Sequence, residues 1–197
     1  MDVLKKAIFA TMCLTAILVI SFCTCVHAQV TTKAITYNEY KAVFADLRFI
    51  LPNDWIYLAD YSNDSFAAFR GSEMYDALII QVVNVPNQYK EDLSLLADLF
   101  KNTYSYGNPL VSLLAEPKVY DLGGTDALVM IYISVENEVP LAKIEVMAVS
   151  NGELISVVIQ DSEQGFMNNF EMYEIIVQSL TFNQDISGLL RNMIIFK

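Results

Sequence analysis

The chain has 197 residues, is 54% hydrophobic, and carries 12 Lys+Arg against 23 Asp+Glu for a net charge of −11. That length suits one domain with a sizeable core, and that acidity repels phosphate backbones, so no nucleic-acid partner is expected. The three cysteines and the single histidine are Cys13, Cys23, Cys25 and His27. Beyond residue 28 the chain therefore has no disulfide frame, thiol nucleophile, imidazole base or Cys/His metal ligand, and neither a cofactor nor a metal is expected. It also contains no G-x-S-x-G elbow, S-x-x-K dyad, P-loop or G-x-G-x-x-G fingerprint.

The chain opens with a short basic start, Lys5-Lys6, and Ala7–Val26 follows without a charge. Val26-His27-Ala28 closes that run with the small-x-small pattern a leader peptidase reads, so residues 1–28 are expected to be a signal peptide, with Gln29 as the new first residue. The alternative is an uncleaved anchor, since the apolar run is about long enough to span a bilayer. Either way the rest of the chain is expected to be exported, to the periplasm or cell envelope. The cysteines and the histidine then belong to the leader and not to the working protein. Residues 29–42 are largely polar and are expected to be a tether.

The body alternates apolar runs with turn signals. Phe44–Leu51 reads as a strand broken by Pro52-Asn53-Asp54 and resumed by Trp55–Leu58. Ser65–Arg70 is a short strand, and Ala77–Val85, almost wholly apolar, a central one. Leu93, Leu96, Ala97, Phe100 and Tyr104 recur at helical spacing. Val111–Leu122 is interrupted by Pro117, an edge or bulge signal. Gly123-Gly124 turns into Ala127–Val135, Glu136-Asn137-Glu138 turns into Leu141–Val149, and Asn151-Gly152, the strongest hairpin signal, leads to Leu154–Ile159. Phe166, Phe170, Tyr173, Val177 and Leu180 mark a second helix. Strands 77–85, 127–135 and 154–159 do not alternate, so they need cover on both faces. The expected class is α+β: an α/β/α sandwich, mainly antiparallel, with one helix on each face of the sheet.

Few residues stand out as candidate sites. Pro52 removes a ladder donor at a turn, and Trp55 after it is expected to plug the end of the core rather than form a ligand platform with Tyr57 and Tyr61. Asp60–Ser65 is oxygen-rich, but its spacing is not that of a calcium loop, and a solvated turn is the simpler reading. Glu136 and Glu138 at a hairpin tip suit edge protection. The tail, residues 184–197, is too apolar for a solvated terminus. Leu189, Leu190, Ile194, Ile195 and Phe196 are expected either to fold back on the domain or to dock on a partner or membrane, folding back being favoured.

Phe49, Leu51, Pro52 and Trp55 at the first hairpin, "GGTDALVM" opening a central strand and a last helix running into "QSLTF" resemble PsbP-like domains over residues 43–183. That superfamily includes the extrinsic P subunit of photosystem II, a yeast Ran-binding import factor and DcrB-like bacterial envelope proteins. The resemblance implies an adaptor or binding role without catalysis. The expected function is thus that of an exported, non-catalytic binding protein with another envelope protein as partner, and membrane contact only through the leader or the tail. The alternatives are a carboxylate-based hydrolase, which requires two acids converging in a pocket, and a calcium-dependent binding module.

Overall fold

In a computed structural model of the chain, residues 35–106, 110–182 and 194–196 are described. Strands β1 (Tyr37–Ala42) and β2 (Leu47–Pro52) open the domain. Short strands β3 (Ile56–Tyr57) and β4 (Phe66–Arg70) lead to β5 (Ala77–Val83). Two helices follow, α1 (Asn87–Glu91) and α2 (Leu93–Tyr106). Then come β6 (Val111–Leu113), β7 (Lys118–Leu122), β8 (Thr125–Glu136), β9 (Val139–Ser150) and β10 (Glu153–Ser162). Helices α3 (Glu163–Asn168) and α4 (Phe170–Ser179) close the body before β11 (Thr181–Phe182) and β12 (Ile194–Phe196).

The strands form two sheets. The large one runs β3-β4-β5-β10-β9-β8-β6, with β7 also on β8, and the small one runs β11-β2-β1-β12. Every pairing is antiparallel except β1 with β12. The architecture is an α+β sandwich with helices on both faces of the large sheet.

The hydrophobic pattern dictates this layering. Along β9, Ala142, Ile144, Val146 and Ala148 enter one core with Phe49, Leu51, Trp55, Phe69, Phe166, Tyr173 and Ile176. Met147 points the other way, into a second core with Leu93 and Leu96 of α2. Successive strand residues face opposite sides of a sheet, so a strand buried on both faces reads as a continuous apolar run. The first core is filled by the small sheet together with α3 and α4, the second by α1 and α2.

Two expectations about the first hairpin differ from the structure. Residues 37–42, within the expected tether, form β1, and they pair with β2 from Tyr37↔Pro52 to Ala42↔Leu47. Tyr40 and Ala42 face the core while Glu39 points outward, a short alternation diluted by polar residues. The strand expected from Phe44 begins only at Leu47, because residues 43–46 form the turn. The Asp46 amide donates to the Val43 carbonyl at 3.2 Å, Asp46 takes a φ of 43°, and its carboxylate pairs with Lys41 at 3.0 Å. The chain then changes sheets between Pro52 and Ile56, so the expected single strand is split between the two layers.

Three two-residue turns join the long strands. Gly123 and Gly124 connect β7 to β8, Asn137 and Glu138 connect β8 to β9, and Asn151 and Gly152 connect β9 to β10. All six residues have positive φ, the geometry that matches the right-handed twist of the strands they join. At Pro117 the ladder breaks, leaving β6 and β7 on successive stretches of the same β8 edge. The amides of Leu114 and Ala115 both donate to the Ile131 carbonyl, at 2.8 and 3.4 Å, so two residues oppose one there.

Candidate functional site

Two groups of polar side chains are enclosed in the domain, one in each core. In the first, Asp76 precedes β5, Asp161 lies near the end of β10, and Tyr173 comes from α4. The Tyr173 hydroxyl lies 2.6 Å from Asp76 Oδ1 and 2.9 Å from Asp161 Oδ2. The carboxylates are only 2% and 1% exposed, and Tyr173 is fully buried. Two glycines allow this closeness. A β-carbon on Gly71 would stand 2.6 Å from Asp76 Cβ, and one on Gly165 only 2.1 Å from Asp161 Oδ2. Burial, chiefly, pushes the Asp76 carboxyl up to about 6. Asp161 adds to the rise, while the hydrogen bonds from Tyr173 and the Glu73 backbone oppose it. Burial first, then Asp76, raises the Tyr173 phenol above its usual range.

In the second group, the Tyr132 hydroxyl donates to Glu145 Oε2 at 2.9 Å and the Ser156 hydroxyl to Glu145 Oε1 at 2.7 Å. All three are buried beneath α2. Tyr104 of α2 packs on Tyr132 with ring centroids 5.7 Å apart. Burial and then the Glu145 charge raise both phenols. Lys143 on the same face donates to Glu136 at the hairpin tip.

Asp76 and Asp161 do what the hydrolase alternative requires, in that two acids converge and one has a raised pKa. Their geometry does not suit glycoside hydrolysis. A glycosidase needs its carboxyls far enough apart to hold a sugar carbon or a water between them, and here a buried phenol fills the gap. A cavity of about 410 Å³, lined in part by Glu73, Tyr75, Gln164 and Asn168, lies over Asp161. The Asp161 carboxylate, however, is already taken by Tyr173, the Ser162 amide at 2.6 Å and the Ser162 hydroxyl at 3.3 Å. Sequence reasoning missed both groups because their members are far apart along the chain. Two acids at or inside otherwise apolar strands, Glu145 and Asp161, were the available signal.

The candidates from the sequence are scattered. Trp55 is 4% exposed among the first core residues, and its amide donates to the Pro52 carbonyl at 3.0 Å across the turn. Tyr57 packs on Phe69, while Tyr61 is exposed, so the three aromatics make no common platform. In the 60–65 turn, Asn63 Oδ1 accepts from the Ser65 amide at 2.9 Å and the Ser65 hydroxyl at 3.1 Å. The Ser62 hydroxyl donates to the Leu58 carbonyl and accepts from the Ala68 amide. These oxygens hold the turn itself. In the tail, Ile194, Ile195 and Phe196 pair with Tyr40, Lys41 and Ala42 on the edge of the small sheet. Leu189 and Leu190 lie outside the described residues, as do residues 1–28.

An apolar surface runs along the β6–β8 end of the large sheet. Leu110 is 55% and Leu114 50% exposed, and Val135 is exposed beside them. The Val135 amide donates to the Leu110 carbonyl at 2.9 Å, which extends the β6 ladder. Half-buried Ile131 and Ile133 continue the surface toward the first core.

No family model and no curated protein matches the chain. Solved structures do. The chain is similar to a cyanobacterial PsbP, CyanoP of Synechocystis sp. PCC 6803, at 17% identity, over 83% of this chain and 99% of that one, with a TM-score of 0.56. A protein of Bacteroides thetaiotaomicron VPI-5482 is similar at 11% identity, over 75% of this chain and 49% of its own, with a TM-score of 0.50. LpqN, involved in cell envelope biogenesis of Mycobacterium tuberculosis, is similar at 13% identity, over 82% of this chain and 98% of its own, with a TM-score of 0.49. The likeness to CyanoP is one of fold. The chain has the PsbP-like fold, the α+β sandwich that its first hairpin and closing helix resemble in sequence.

Proposed function

We propose that the chain is an exported, non-catalytic binding or adaptor protein of the cell envelope, and that its partner is another protein. The observation that carries this reading is the contrast between its interior and its surface. The chemically capable groups, Asp76, Asp161, Tyr173 and Glu145, are buried and bonded to one another or to neighbouring hydroxyls and amides. Outside, Leu110, Leu114 and Val135 leave apolar surface exposed, and such surfaces mark interaction sites. The basic start, apolar run and Val-x-Ala ending of residues 1–28 support export.

Site-specific photocrosslinking from position 114, with a probe at Asp126 as control, tests the binding reading in the native host. The expected result is one discrete adduct from position 114 in the envelope fraction, with the intact mass of the uncrosslinked protein beginning at Gln29. A cytoplasmic protein that retains residues 1–28 overturns export. A hydrolytic activity that disappears in Asp161→Asn overturns the non-catalytic reading.

A further inference from the structure

We propose that Asp76, Asp161 and Tyr173 form a proton-held latch, which fastens α3 and α4 to the large sheet in acid and loosens them as the pH rises toward neutrality. The argument begins with counting protons. Three oxygens, one from each residue, lie in a chain of contacts at 2.6 and 2.9 Å. A phenol has a single proton and can donate to only one acceptor. The second contact is a hydrogen bond only if a carboxyl proton makes it. With both acids ionised, one contact becomes lone pair against lone pair, at full desolvation cost.

Among the described residues no cation acts on Asp76 to offset this. From α4 it meets Tyr173, from β10 it meets Asp161, and from its own loop the Glu73 backbone hydrogen-bonds to it. Glu73 also lines the cavity over Asp161, with no basic side chain beside it there. The groups that act on Asp76 are thus a phenol, a backbone amide and a second carboxyl. The site cannot relax easily, because Gly71 and Gly165 already hold the backbone against the carboxylates.

The sign follows from linkage. The Asp76 carboxyl ionises near 6 in the folded protein against 3.8 ordinarily. The stabilisation from its proton is complete below about pH 4 and is lost as the pH climbs through 6. Tyr173 is the α4 member of the latch, and Phe166 of α3 stacks on its ring at 5.4 Å. The loosened elements would be these two helices, which bring Phe166, Tyr173 and Ile176 into the first core.

Hydrogen exchange of the α4 amides from pH 4.5 to 7.5, corrected for intrinsic rates, tests the latch on the full protein. The rise of the Asp76 carboxyl from 3.8 to about 6 corresponds to a loss of α4 protection of roughly twenty- to thirtyfold across that range, because an unfolded carboxyl is already mostly ionised at pH 4.5, with β8 and β9 keeping theirs. Asp76→Asn, whose amide can donate where the carboxyl proton stood, should flatten the profile and leave α4 better protected than wild type at pH 7.5. Asp161→Asn provides the same comparison if the first variant does not fold. Flat α4 protection in the wild type, an equal loss in β8 and β9, or a folded Asn variant that keeps the wild-type profile would each overturn the proposal.

Discussion

Trp55 shows how one side chain joins the two layers. It follows the Pro52 turn, where the chain leaves the small sheet, and it is buried among residues of both sheets, including Phe49 and Phe69. Its large apolar area closes the end of the core at the crossing point. Trp55→Ala is expected to cost about 3–5 kcal/mol, read as a lower denaturant midpoint with an unchanged slope. A loss well below 1 kcal/mol would mean that the indole does not support the core. Burial of Trp55 was legible in the sequence, since a tryptophan directly after the Pro52-Asn53-Asp54 strand break has a large apolar area to pack. The Asp76–Asp161–Tyr173 contact was not legible. Tyr173 sat in an apolar helical stripe as a core residue, and nothing in that periodicity reveals which way a hydroxyl points or what it meets.

At the scale of elements, the long strands and the amphipathic helices followed from their patterns, because burial on both faces forces a continuous apolar run. The short strands did not. In β1, "YNEYKA", only Tyr40 and Ala42 carry much of the inward face, too few to separate the strand from polar coil. The Phe44–Asp46 segment is apolar enough to pass for a strand, yet it turns, with Asp46 at a φ of 43°. The β8–β9 hairpin presents a related economy of signal. Its turn uses Asn137 at φ 48° and Glu138 at φ 68°, and glutamate has no local preference for that region. A left-handed conformation costs an ordinary residue about 1–2 kcal/mol, and glycine gives back roughly 0.5–1 kcal/mol through its freer unfolded chain. Glu138→Gly should therefore stabilise the protein by about 0.5–1 kcal/mol, measured by equilibrium unfolding. A destabilised variant would mean that the Glu138 side chain contributes more than its backbone strain costs.

At the scale of the molecule, the sandwich depends on strands from both ends of the sequence. The tail of the chain contributes β12, paired in parallel with β1. Deleting residues 186–197 is expected to lower Tm by about 2–4 °C for each kcal/mol of lost packing, because the β1 edge would lose its partner. An unchanged melt together with a lost crosslinked adduct would instead assign the tail to partner docking. Among the described residues no helix is long and apolar enough to cross a membrane.

The provenance of the small sheet also sets an order of assembly. The meander from β8 to β10 is local, since each strand is joined to the next by two residues and the whole is present once Ser162 has been made. The small sheet takes β1 and β2 from near residue 40, but β11 and β12 only from beyond residue 180. Contacts so distant along the chain form late, because the loop between them must first be closed. The small sheet gains its outer strands only when residues 181–182 and 194–196 are available, so a chain emerging from its N-terminus first can close the meander before it can close that sheet.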